Sequence, residues 1–234
     1  MDDPDCDAAQ LTRTLNAFAR SNRLFTRYRS ILRRWIIPDM QRAPARRHRV
    51  VDLGAGGCDI AVWLLEQCRR TGLREDVVAL DANPRVVAYA RQKYGHVASL
   101  DIRHEDALGF NGFAADDYVF GNHFLHHLGN NEIVALLRKL AALPVRRFVF
   151  SDLCRHYRAY YVISLAGAAL FPGTFIGYDG RLSVRKGFSI AEMESFLTRA
   201  GLHPQTQIHT LAPARVVLVG EGQRGRTTEL SSST

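Results

Sequence analysis

The chain has 234 residues, 47% hydrophobic and 23% charged, which suits one generous globular domain and excludes a fibrous or low-complexity protein. Its formal net charge is +8, but all basic residues except Lys93, Lys139 and Lys186 are arginine, and they are spread along the whole chain. That spread fits a solvated surface better than a dedicated nucleic-acid face. Cys6, Cys58, Cys68 and Cys154 have no C-x-x-C or zinc-finger spacing, so free thiols in the cytoplasm are expected. Met1 to Asp7 lacks a signal-peptide apolar core. The longest apolar run, Tyr160 to Phe171, is shorter than the ~20 residues of a membrane span.

Met1 to Gln10 is expected to fray. Leu11 to Ile37 has helical periodicity, with Leu11, Leu15 and Phe18 on one face and Leu24, Tyr28, Ile31 and Trp35 continuing the stripe. Pro38 is expected to end that helix, and Gln41 to Arg49 forms a basic linker. Strands and helices then alternate. Strands are expected at 49–53, 77–81, 98–104, 117–121 and 147–151, with helices at 59–70, 84–94 and 131–142. Ser189 with Glu192 three residues on is a capping box, opening a helix that Gly201 closes. Two final strands are expected at 208–210 and 214–219, and a disordered polar tail at 221–234. Such alternation implies a parallel sheet covered on both faces, with the ligand beyond the carboxyl ends of the strands.

The strongest motif runs from Val50 to Asp59: a buried strand, an acid, then the glycines Gly54, Gly56 and Gly57 turning the chain into a helix. Glycines there allow positive φ and close approach of a ligand to the backbone. A dinucleotide fingerprint starting at Gly54 would need Gly or Ala at its sixth position, which is Asp59. A carboxylate at a helix N-terminus repels a pyrophosphate, so a ligand without phosphate fits better, and a cationic one better still. A second acid, Asp81, ends the next strand, where it can accept hydrogen bonds from both hydroxyls of a ribose. Asn83 before Pro84 reads as the cap of the following helix. Glu105-Asp106 follows the third strand. The loop after the fourth strand carries His123, His126 and His127, which can supply a general base near neutral pH. No acid or cysteine lies at ligand spacing to them, so no metal is expected.

These segments together resemble the class I S-adenosylmethionine-dependent methyltransferases, over roughly Val50 to Gly220. Asp52, Gly54 and Gly56 match the first motif, while Cys58 stands where a third glycine usually falls. The resemblance implies an α/β fold, a Rossmann-like seven-stranded sandwich. Residues 1–48 would form a helical extension and linker and 49–220 the methyltransferase domain, with a lid inserted after strand five at about 153–188. It implies S-adenosyl-L-methionine as cofactor, held by Asp52, Gly54, Ala55, Gly56, Asp59, Asp81, Ala82, Asp106, Ala107 and Asn122. Asp81 would bind the ribose and Asp106 lie beside the adenine.

The loop Phe124-Leu125-His126-His127-Leu128 is similar to the strand-four loop of small-molecule members, so His123, His126 and His127 are the catalytic candidates. No Asn/Asp-Pro-Pro-aromatic motif or Pro-Cys nucleophile follows strand four, which argues against base methylation. The stretch Asp152 to Phe188 is longer than a plain crossover and rich in aromatics: Tyr157, Tyr160, Tyr161, Phe171, Phe175, Tyr178 and Phe188. It can roof a substrate pocket or bury aromatics in the core. The expectation is a monomeric or homodimeric bacterial enzyme that methylates a small aromatic or polyketide-like metabolite of secondary metabolism, at oxygen by family precedent. Carbon methylation of a quinone-like precursor, an RNA methyltransferase and a non-catalytic cofactor-binding protein remain as alternatives.

Overall fold

A computed structural model of the chain describes residues 8–155, 187–203, 205–212 and 214–223. The N-terminal segment forms three helices, α1 (Ala8–Phe25), α2 (Tyr28–Trp35) and α3 (Ile37–Gln41), where the periodicity predicts a single one. The ladder breaks at Arg27, which adopts a left-handed φ of 58°, just after Thr26 bonds its hydroxyl back to the Asn22 carbonyl at 2.8 Å. The break turns Leu24 away from the expected stripe, and it is 60% exposed. Leu11 and Leu15 pack against Val86. Pro38 does not end this segment. It sits in the first turn of α3, where its missing N–H costs nothing.

Asp39 of α3 accepts the Tyr118 hydroxyl at 2.9 Å and pairs with Arg146. The Trp35 carbonyl accepts from Arg147 at 2.9 Å. These contacts fasten α2 and α3 beneath the amino ends of the fourth and fifth strands.

The sheet has seven strands: β1 (Arg47–Leu53), β2 (Arg74–Asp81), β3 (Leu100–His104), β4 (Tyr118–Asn122), β5 (Arg147–Leu153), β6 (Gln207–Leu211) and β7 (Arg215–Glu221). Their order is β3-β2-β1-β4-β5-β7-β6. The first five are parallel, and β7 runs antiparallel between β5 and β6. The expected strands are all present, but β1, β2 and β7 are longer than the hydrophobic runs alone mark. Arg47 and Arg49 at the start of β1 are paired with Asp76 and Asp117, so the basic linker is partly strand. Likewise Glu221, expected in the disordered tail, is the last residue of β7 and pairs with Arg147.

Helices cover both faces. On one face α2, α3, α4 (Asp59–Arg70) and α5 (Pro84–Tyr94) pack on Val50, Val77, Ala79, Phe120 and Val149. On the other, α6 (Asn130–Ala142) and α7 (Ile190–Ala200) pack on Val51, Leu80, Val119, Phe148 and Phe150. Successive strand residues thus feed opposite cores, as the period of two requires. The capping box is formed: the Ser189 hydroxyl accepts the Glu192 N–H at 3.2 Å, and the Glu192 carboxylate accepts the Ser189 N–H at 2.8 Å. Gly201, at φ 72°, closes α7.

Most of the expected lid lies outside the described residues, including Tyr157, Tyr160, Tyr161, Phe171, Phe175 and Tyr178, as does the tail beyond 223. The lid's two ends are described and lie side by side. Cys154 and Phe188 form a parallel bridge, and Phe188 packs edge-on against Phe196. The chain therefore leaves and re-enters the fold directly beyond β5.

Candidate active site

Strand register brings the carboxyl ends of β1, β2, β4 and β5 to one edge of the sheet. Leu53 pairs with Leu80, Asn122 with Ser151, and Leu153 with Arg215 at the start of β7. The turn after β1 carries left-handed residues at Gly54 (φ 67°), Gly56 (φ 55°) and Cys58 (φ 59°). Cys58 fills the place of a third glycine in a glycine's conformation, an arrangement L side chains rarely adopt. The Ala55 N–H bonds the Leu80 carbonyl at 2.9 Å, and the Gly56 N–H bonds Asp81 Oδ2 at 2.9 Å, pinning the turn to β2. Asp81 Oδ1 accepts the Asn83 N–H at 2.9 Å, and Asn83 caps α5 as the sequence indicates.

Gly54 cannot carry a side chain. A Cβ there would stand 2.7 Å from Cδ2 of Phe124, and its φ is strained for any other residue. Gly54→Ala is expected to cost more than about 1 kcal/mol of stability and to weaken cofactor binding, because Phe124 must shift. Thermal unfolding and calorimetry with S-adenosylhomocysteine check this.

Three carboxylates surround the turn. Asp59, the first residue of α4, accepts both of its hydrogen bonds from the Asn22 amide at 3.3 Å, and burial raises its pKa. Asp52 is buried and accepts no hydrogen bond from any described residue. Burial, then the charges of Asp59 and Asp81, push its pKa up to about 8. A buried acid facing two other acids, with no donor among the described residues, is unfavourable unless it meets a cation or a strong donor. The donor set therefore fits a ligand bearing positive charge and no phosphate.

The remaining expected cofactor residues are placed as follows. Ala82 is exposed, and its carbonyl lies 3.1 Å from His104 Nε2. Asp106 is exposed and caps its own turn through the Leu108 and Gly109 N–H groups at 3.4 and 3.2 Å. Ala107 is buried beside it. Asn122 lies at the end of β4, and its amide oxygen accepts from Arg215 at 2.8 Å.

The histidine loop is held by partners that local spacing could not reveal. His126 sits in a short 3-10 helix (Leu125–His127) and is buried. Its Nδ1 lies 2.8 Å from Asp152 Oδ1. Asp152 also accepts the Leu153 N–H at 2.7 Å and the His126 N–H at 3.2 Å. Burial alone would raise the Asp152 pKa, but His126, then His123 and Arg215, hold it well below the carboxylate range. An ionised Asp152 only accepts, so His126 Nδ1 carries a proton, and in the neutral imidazole Nε2 is the acceptor.

His123 stands at a left-handed φ of 57°, and its Nε2 lies 2.8 Å from Arg215 Nη1. Burial, then the Arg215 charge, keeps its pKa well below the imidazole range. His127 is exposed, with its ring 4.2 Å from that of His126. Among the described residues, His123, His126 and Asp152 form a group whose donor atoms lie within 4.8 Å of one another, a cluster the expectation of no metal overlooked. The fixed Arg215 cation on His123 Nε2 opposes a metal ion there. Arg215 went unrecognised in the sequence, although a lone arginine opening the apolar run Val216 to Val219 was a visible signal.

The sheet order, with the acid–glycine turn and Asp81 at the ends of β1 and β2, is a fold shared with S-adenosylmethionine-dependent methyltransferases. Residues 50–144 match the family model described as a methyltransferase domain. No curated protein matches the sequence.

Solved structures of similar fold include a SAM-dependent methyltransferase from Aquifex aeolicus, with 14% identity and a TM-score of 0.60, matched over 92% of this chain and 98% of that one. A CurJ carbon methyltransferase has 15% identity and a TM-score of 0.62, over 93% and 61%. The mitomycin 7-O-methyltransferase MmcR has 18% identity and a TM-score of 0.52, over 75% and 49%. The chain thus spans less than two thirds of the last two. At these identities the likeness is one of fold. Among the described residues no helix is long and apolar enough to cross a membrane.

Proposed function

We propose that this chain transfers the methyl group of S-adenosylmethionine to a hydroxyl oxygen of a small aromatic or polyketide-like metabolite. The observation that carries the reading is the His126–Asp152 pair, which leaves His126 Nε2 as a proton acceptor at the carboxyl end of β4. On this reading Asp52 and Asp59 take the cationic end of the cofactor, the Gly54, Ala55 and Gly56 backbone lies against it, and Asp81 and Ala82 hold the ribose. Asp106 and Ala107 flank the adenine, and Asn122 borders the cleft.

Once bound, S-adenosylmethionine would supply an electrophilic methyl carbon for the acceptor oxygen, with the demethylated cofactor as leaving group. The chain aligns the two partners, excludes water and removes the hydroxyl proton. His126 receives that proton, and Asp152 orients the ring. The same base would serve an acidic carbon, and product analysis separates the two outcomes.

Asp81→Ala is expected to weaken cofactor binding by about 1–3 kcal/mol, the scale of charge-assisted hydrogen bonds. Unchanged affinity in a folded variant would remove Asp81 from the site. The reading as a whole is tested with methyl-labelled S-adenosylmethionine and a panel of phenols. Label appearing as an O-methyl ether supports it. Label entering RNA instead, through a complex that survives physiological salt, overturns it.

A further inference from the structure

His123 and His126 both carry their proton on Nδ1, yet they offer opposite chemistry to a ligand. His126 spends its N–H on Asp152 and keeps a lone pair on Nε2. His123 spends its Nε2 lone pair on Arg215, and its remaining polar atom is the Nδ1–H. Neither free atom has a hydrogen-bond partner among the described residues. The two rings stand edge to face, 5.9 Å between centroids. One acceptor and one donor thus stand on neighbouring rings.

Arg215 strengthens the donor. It is 1% exposed and forms no salt bridge among the described residues. Its other N–H groups go to the Ser151 hydroxyl, at 2.7 and 3.2 Å, and to the Asn122 amide oxygen, at 2.8 Å. A guanidinium in this environment polarises the imidazole that accepts from it, making His123 Nδ1–H a better donor to an electron-rich oxygen. Asp152 is the nearest negative charge, and it is committed to His126 and two backbone N–H groups.

We propose that the His126–Asp152 and His123–Arg215 pairs form a two-point oxygen site selecting acceptors with vicinal oxygens. The hydroxyl to be methylated lies on His126 Nε2, and a hydroxyl, alkoxyl or carbonyl oxygen on the adjacent carbon lies on His123 Nδ1–H. The hydroxyl proton passes to His126 Nε2, while His123 keeps its proton throughout. His123 and Arg215 are positioning residues in this scheme, and the selectivity rests on the methyltransferase reading given above.

The test uses the full chain saturated with S-adenosylhomocysteine and two probes that differ only in oxygen placement, 2-methoxyphenol and 4-methoxyphenol. The 2-methoxy isomer is expected to bind about tenfold more tightly, the worth of one good hydrogen bond. His123→Asn keeps a donor and tolerates the left-handed φ, so it should retain most of the preference. His123→Asp tolerates the same φ but presents only acceptors, so it should abolish the preference while the S-adenosylhomocysteine affinity stays unchanged. Equal binding of the isomers by the wild type, or a preference that survives His123→Asp, overturns the site.

Nitrogen-15 spectra of the histidine rings give a readout that needs no probe, and a proton on His123 Nε2 also overturns it. Failure of the wild type to bind S-adenosylhomocysteine would sink the methyltransferase reading instead. Isomer selectivity without label transfer would sink only the reaction and leave the oxygen site standing.

Discussion

His126→Ala should lower turnover roughly 10²–10⁴-fold, the usual loss when a general base is removed, with cofactor affinity unchanged. The second half of the expectation is the stringent one, because the polar and ring partners of His126 among the described residues are Asp152, His123 and His127, outside the turn after β1. Asp152→Asn should be nearly as damaging. Asp152 accepts from three N–H groups, the two backbone ones of His126 and Leu153 and the ring Nδ1–H of His126. An asparagine has a single acceptor oxygen and two donors, so its amide must face at least one of those N–H groups. The least costly relief is to move the imidazole proton to Nε2, which removes the base without removing the histidine. Single-turnover rates with a saturating phenol test both variants. If His123→Asn, His126→Ala and His127→Ala all keep near-wild-type rates, no loop histidine is the base and alignment alone suffices.

Asp52→Asn should produce an equally large effect, in the pH dependence of cofactor binding. In the free chain Asp52 has a pKa of about 8, set by burial and then by Asp59 and Asp81. A cationic ligand needs the carboxylate ionised, so at neutral pH its binding must release a proton. Affinity should therefore climb roughly tenfold per pH unit up to about 8 and level off above it. Calorimetry in buffers of different ionisation enthalpy measures the released proton directly. Asp52→Asn should flatten the profile and weaken binding at pH 8.

Stability should move the other way. The folded pKa lies above the unfolded value near 4, so the folded chain holds a proton that the unfolded chain has lost, and the ligand-free protein loses stability as pH rises from about 4 to 8. Burial also lifts Glu75 to about 7, so part of this slope should survive in Asp52→Asn. A ligand-free variant at pH 8 that is no more stable than wild type would contradict the assignment.

What could be read from the residues and what could not divide along one line. Features fixed by neighbours in sequence were legible: the acid–glycine turn, Asn83 as a cap, the Ser189–Glu192 box, and the alternating strands. The break at Arg27 was not, because seven arginines and no acid between Ala8 and Pro38 leave the helical period intact across it. The partners of the histidines were not legible either. Asp152 lies 26 residues from His126, and Arg215 lies 92 from His123. They meet only because β4, β5 and β7 are adjacent in register. The expectation of no acid near the histidines counted chain distance where the sheet sets distance in space.

The position of β7 imposes an order of construction. This strand enters the sheet between β5 and β6, in the interior rather than at the rim. On a ribosome, β1 to β4 and the turn that carries Asp52 emerge and can assemble while β5 still offers an unpaired backbone from Arg147 to Leu153. Only when Arg215 threads in beside Leu153 does that exposed edge close and His123 acquire the guanidinium that fixes its proton. On the proposed reading, the turn that would hold the methyl donor is thus complete before the oxygen site is. Until that strand is seated, β5 remains the surface most in need of protection by a chaperone.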